Sequence, residues 1–177
     1  MTRNKEVRRM ILAASLTALS ILINVFFRFA LNIPNFGLPF YAIPLVLGSI
    51  ILGPVYGMAM GFVSDALSVP LTGGTYLPLF VLSKIMWGVV PALVVGKNYS
   101  HFKLAIAIPL AYILANLSNT LAMFVHFDRQ TTLALLVLRM ALIPFNSVIM
   151  FVFVKDIYLR LKPLHESYLL SSKPMKT

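Results

Sequence analysis

The feature that most constrains this chain is a series of apolar runs, each bounded by glycine, proline or a cluster of charge. The hydrocarbon core of a bilayer is about 30 Å thick, and a helix needs about 20 apolar residues to cross it. The first run extends from Met10 to Leu31, behind Arg3, Lys5, Arg8 and Arg9. It begins like a signal peptide, but it lacks a small-residue cleavage site and continues too long, so it reads as a retained helix. Pro34, Asn35 and Gly37 mark a loop. A second run spans Phe40 to Leu52 and breaks at Gly53-Pro54; a third covers Val55 to Val69 and closes at Pro70. Pro70 to Pro78, with Gly73 and Gly74 inside it, reads as a loop. Three more helices follow: one ending at Val95, one from Leu104 to Val125, and one from Thr131 to Leu161. Between them, Lys97 to Lys103 (containing His101) reads as a polar connection and His126 to Gln130 as a short turn.

Composition agrees. Hydrophobic residues make up 59% and charged residues 11%, against about 45–50% and about 25% in soluble domains. The expected fold is therefore all-α: an integral membrane protein of about six transmembrane helices. Residues 1–162 form a single membrane domain, and 163–177 a polar, mobile tail. The absence of cysteine removes disulfides, thiolate metal sites and cysteine nucleophiles. A net charge of +10 raises the question of nucleic acid, but the basic residues cluster at the two ends and in one short loop, which argues against it. Their placement instead orients the chain. With both termini cytoplasmic, the inner side holds Arg3, Lys5, Arg8, Arg9, Lys97, Lys103, Lys155, Arg160, Lys162, Lys173 and Lys176; the outer loops hold Arg129. The loop around Gly73 and Gly74 then faces outward.

Charges within apolar helices need a reason, since each costs at least about 2.5–3.5 kcal/mol on insertion scales. Arg28 near the outer end of its helix can snorkel to the interface. Asp65 and Lys84 lie at similar depth; either they pair and hold the bundle together, or Lys84 meets an anionic group of a ligand. Phe80, Lys84, Trp87 and Pro91 recur along one helical face, a stripe suited to stacking a ring and neutralising a carboxylate, or to packing against lipid and neighbours. Tyr112, Asn116 and Asn119 share a face of the fifth helix, as interhelical glue or as ligand contacts. Arg139 and Asn146 share a face of the sixth, where Arg139 could bind a carboxylate bidentately. The faces Ala14-x-x-x-Ala18 and Gly57-x-x-x-Gly61 allow close helix approach.

Several motifs do not occur. The chain has no G-x-x-x-x-G-K-[ST] phosphate loop and no H-E-x-x-H. Ser64 is not in a G-x-S-x-G elbow, and His101, His126 and His165 lack metal-ligand spacing. Five acidic residues, mostly near the ends, leave little for a proton relay or sodium site. An enzyme and a self-powered secondary transporter both fit poorly.

In order along the chain come Arg28-Phe29, Ile43-Pro44-Leu45 with Gly48, Leu52-Gly53-Pro54-Val55-Tyr56-Gly57, Gly61-Phe62-Val63-Ser64-Asp65, Gly74-Thr75-Tyr76-Leu77-Pro78-Leu79-Phe80-Val81-Leu82-Ser83 and Ile143-Pro144-Phe145-Asn146. Together they resemble the substrate-binding S component of an energy-coupling factor (ECF) vitamin transporter, folate-type branch, over nearly the whole membrane region. Where that branch carries basic residues before the Ile-Pro-x-Asn stretch, this chain has Leu135 and Leu138 with Arg139 alongside. A smaller carboxylate-bearing vitamin such as pantothenate needs fewer cations than folate, and a hydroxymethylpyrimidine fewer still. The resemblance implies a subunit of the bacterial cell membrane that takes a vitamin from outside, with the Gly73-Gly74 loop as lid. It also implies a transmembrane coupling subunit docked at Ala14 and Ala18 and two cytosolic ATPases holding ATP and Mg, with no cofactor in this chain. The substrate-binding residues expected are Tyr76, Phe80, Lys84, Trp87, Asn116, Asn119, Arg139 and Asn146. The rival expectations are a structural or assembly membrane protein without a ligand, and a stand-alone channel or exporter.

Overall fold

The computed structural model of the protein describes residues 2–30, 38–96 and 98–170. The expected loop at Pro34, Asn35 and Gly37, together with Lys97, Lys173 and Lys176, lies outside the described residues. Among the described residues all regular structure is helical: α1 (Thr2–Ala30), α2 (Ala42–Leu52), α3 (Pro54–Leu71), a 3₁₀ turn (Pro78–Phe80), α4 (Val81–Val95), α5 (His101–His126) and α6 (Arg129–Leu170).

The boundaries follow local chemistry. Gly53, at φ 100°, separates α2 from α3, and Pro54 opens α3, where a missing N–H has no partner to lose. Pro70 falls inside the last turn of α3 rather than beyond it. Gly96, at φ 62°, ends α4. His101, expected in a polar connection, is the first residue of α5, because Ser100 is extended and occupies the N-cap position. Asp128 caps α6 by accepting a bond from the Thr131 N–H at 2.9 Å. The helix runs on through Pro163 to Leu170, past the point where the sequence suggests a polar tail.

Among the described residues, four spans are long and apolar enough to cross a membrane: Lys5–Phe29, Pro78–Val95, His101–His126 and Arg129–Pro163. The chain is thus a multi-pass, all-helical membrane protein. α2 is different. Its 11 residues extend about 16 Å, half the depth of a bilayer core, and Ala42 to Ile51 are all buried. A helix apolar on every side belongs in an interior, and α2 packs against α1, α3, α4 and α6. The core clusters around it, with Leu45, Val46, Leu104, Ile108, Met150 and Val154 fully enclosed. Phe27, Phe40 and Phe153 pack in succession, Phe27 tilted against Phe40 with ring centroids 5.2 Å apart and Phe40 edge-on to Phe153 at 5.9 Å.

Candidate functional site

α3 and α4 meet where both lack side chains. A Cβ on Gly57 would strike the carbonyl of Gly88, one on Gly88 would strike that of Gly57, and one on Gly61 would strike that of Lys84. The Gly57-x-x-x-Gly61 face is therefore spent inside the chain, bringing the two backbones together. That approach carries Lys84 onto α3. Its ammonium lies 3.4 Å from Asp65 Oδ1, donates to the Ser64 carbonyl at 3.2 Å, and donates to Ser68 Oγ. An ammonium has three protons, and these three partners, within about one turn of α3, account for them. Asp65 and Lys84 are both buried, and the Tyr41 ring lies 5.3 Å from the Lys84 nitrogen, within cation–π range. Ser20 Oγ of α1 joins the group, bonding Ser64 Oγ at 3.0 Å and donating to the Tyr41 carbonyl at 2.7 Å. Of the two readings of Lys84 left open by the sequence, the structure displays the ion pair.

One turn further along α4, Trp87 is 2% exposed and meets Tyr112 of α5 edge-on, with centroids 5.3 Å apart. Asn146 of α6 donates to the Tyr112 hydroxyl at 2.9 Å. Arg139, half-buried on α6, donates to Met123 Sδ at 3.3 Å and lies within electrostatic reach of Tyr41 and Tyr112. A thioether is a weak acceptor, so this guanidinium is held loosely. Asn116, one turn beyond Tyr112, is buried, and its Nδ2 has no hydrogen-bond partner among the described residues. Asn119 is half-buried. Helices α3 to α6 and the residue before α2 thus converge on one interior polar cluster.

The expected stripe on α4 divides. Lys84, Trp87 and Pro91 are buried together, whereas Phe80 sits in the 3₁₀ turn before α4 and stacks on His126 at the end of α5, centroids 6.4 Å apart. Tyr76 is half-buried in the loop between α3 and that turn. Arg28 of α1 reaches this loop and donates to Thr72 Oγ1 at 2.7 Å. Ala14 and Ala18 lie on the exposed side of α1, away from the cluster. Sequence reasoning missed Tyr41 and Ser68. Ser64 and Ser68 could have been found as the i and i+4 neighbours flanking a buried Asp65. Tyr41 carries no periodic signal, since it enters the cluster from a turn.

Chemically the cluster offers a compensated ion pair, a loosely held guanidinium and amide and hydroxyl groups, walled by aromatic rings. The family profile described as ECF transporter, substrate-specific component, matches residues 8–160. No curated protein and no solved structure matches the chain. The profile covers the region that supplies every helix of the cluster, and the chain belongs to the family of substrate-specific components of ECF transporters, as a membrane substrate-binding subunit and not an enzyme.

Proposed function

We propose that the chain captures a water-soluble vitamin or vitamin precursor, folate or pantothenate first, at the cluster bounded by α3 to α6. The observation that carries this is the family match together with an interior holding Arg139, Asn116 and Asn146 at membrane-spanning positions. Polar groups there are expensive and mark substrate pathways. In this reading Arg139 meets a carboxylate, Asn116, Asn119 and Asn146 bond the polar part of the substrate, and Tyr76 and Phe80 line the entrance under the loop that Arg28 holds. Lys84 and Trp87 build the wall behind them. Both termini are cytoplasmic, about six segments cross the bacterial cell membrane, and the exposed Ala14 and Ala18 face a transmembrane coupling subunit. Two cytosolic ATPases holding ATP and Mg drive release to the inside.

Calorimetric titration of the purified protein with folate, pantothenate, hydroxymethylpyrimidine, thiamine and riboflavin tests the reading. Saturable one-to-one binding of one compound is expected, visible also in the fluorescence of Trp87, the single tryptophan. Arg139→Ala should weaken it about tenfold or more, as for a lost charge-assisted hydrogen bond. Folded protein that binds none of the five would favour a structural membrane protein instead.

A further inference from the structure

α1 packs on α2 and α3, and α6 on α2 and α5. Between α1 and α6 this leaves a cleft of about 390 Å³, floored by Ile43, Pro44 and Leu47 of α2 and walled by residues that include Leu16, Ile23 and Ile157. Every side chain lining it is aliphatic or aromatic. An empty cleft forfeits the contacts its walls could make, and in a membrane the apolar material at hand is acyl chain. From Leu16 to Phe27 the α1 wall runs about 16 Å, close to one leaflet's share of a hydrocarbon core about 30 Å thick.

The two ends of the cleft differ in charge. Phe27 meets Phe40 at one end. Towards the other, the α1 face that carries Leu16 continues to Arg9, two turns earlier, with Arg8 beside it. Ser20 bonds the Tyr41 carbonyl and Leu16 lies against Gly48, so α2 runs antiparallel to α1 and ends near the level of Arg9. α6 reaches the same side: Tyr158 stacks on Tyr99 of the α4–α5 connection, centroids 3.9 Å apart. Arg160 follows within a turn, next to Leu161, which lines the cleft. Arg8 and Arg160 are exposed and Arg9 is half-buried. With Lys5 and Lys162, these cations outnumber the neighbouring acids Glu6 and Asp156.

We propose that this cleft is a site for an anionic phospholipid from the leaflet on the side of both termini. One acyl chain lies on α2 between α1 and α6, and the phosphate sits among Arg8, Arg9 and Arg160. Guanidinium groups bind phosphate through paired hydrogen bonds, and basic residues at the membrane surface draw anionic lipid. A zwitterionic lipid would fill the cleft equally well but bring a cation of its own to a basic mouth. At 3.6 residues per turn, Ala14 and Ala18 fall on the far side of α1 from Leu16 and Ile23, so the bound lipid leaves that face clear. The lipid is a wedge that joins α1 to α6 over α2, and the identity of the transported substrate plays no part in it.

Native mass spectrometry of the full chain, delipidated in detergent, tests the site by titration with phosphatidylglycerol or phosphatidylcholine of identical chains. One phosphatidylglycerol should be retained about tenfold more tightly than phosphatidylcholine. In Arg8→Gln/Arg9→Gln/Arg160→Gln that preference should vanish while phosphatidylcholine still binds. Ile23→Trp fills the cleft and keeps the cations, and it should weaken both lipids about tenfold by displacing methylene groups. Soluble glycerol phosphate should not displace the lipid, because the cleft holds the chain. Equal retention of the two lipids by the wild type overturns the proposal, as does retention unchanged by Ile23→Trp; both readings stand even if the triple variant misfolds. Displacement by glycerol phosphate would reduce the site to a surface phosphate contact, and a dimer that excludes lipid would assign the cleft to a second copy of the chain; either result also overturns it.

Discussion

Lys84 shows how one residue type changes meaning with its surroundings. On a helix face between aromatics it looks like a ligand cation. In the folded chain it closes a buried pair with Asp65 and bonds Ser64 and Ser68. Removing one partner of such a pair leaves an uncompensated charge and costs about 3–5 kcal/mol, whereas removing both together is often neutral. Lys84→Met should therefore lower thermal stability, followed by circular dichroism in detergent, and Asp65→Leu/Lys84→Met should recover most of the loss. A double variant as unstable as the single would show that the pair contributes more than charge compensation.

At the scale of elements, the α3–α4 contact rests on the absence of two side chains. Gly57 and Gly88 oppose each other's carbonyls, so neither has room for a methyl group. Gly57→Ala and Gly88→Ala should each destabilise by about 1–3 kcal/mol or more, the usual effect of overpacking. Gly73→Ala, with open space around it, has no such clash and separates crowding from the backbone strain of a positive φ. The start of α6 depends on charge instead. Bonds from the Thr131 backbone and side chain hold the Asp128 carboxyl below its ordinary range. A lowered value in the folded state means support that is present above the unfolded pKa and lost as pH falls through the folded one. Amide exchange at Thr131 and Thr132 should accelerate only when pH drops below the usual carboxylate range, and Asp128→Ala should abolish that dependence.

For the whole molecule the test is topology. The basic residues favour both termini inside, which puts the loop after α3 outside and the connection between α4 and α5 inside. The chain contains no cysteine, so single cysteines report without background. Thr75→Cys should react with a membrane-impermeant maleimide from outside intact cells, and Asn98→Cys only after permeabilisation. Reaction of both from the same side would overturn the proposed arrangement.

The membrane class, the helical segments and their approximate limits were legible in the sequence, because length and apolar content alone decide whether a helix suits a bilayer. So were the family and most of the polar residues that converge, since an ionisable or amide group in an apolar helix stands out by its cost. Three things came only from tertiary structure. The burial of α2 depends on neighbours on every side. The division of Phe80 from Lys84 and Trp87 follows from a 3₁₀ turn where the pattern suggested continuous helix. The engagement of Lys84 depends on how closely α3 and α4 approach, which two glycines distant in sequence set together.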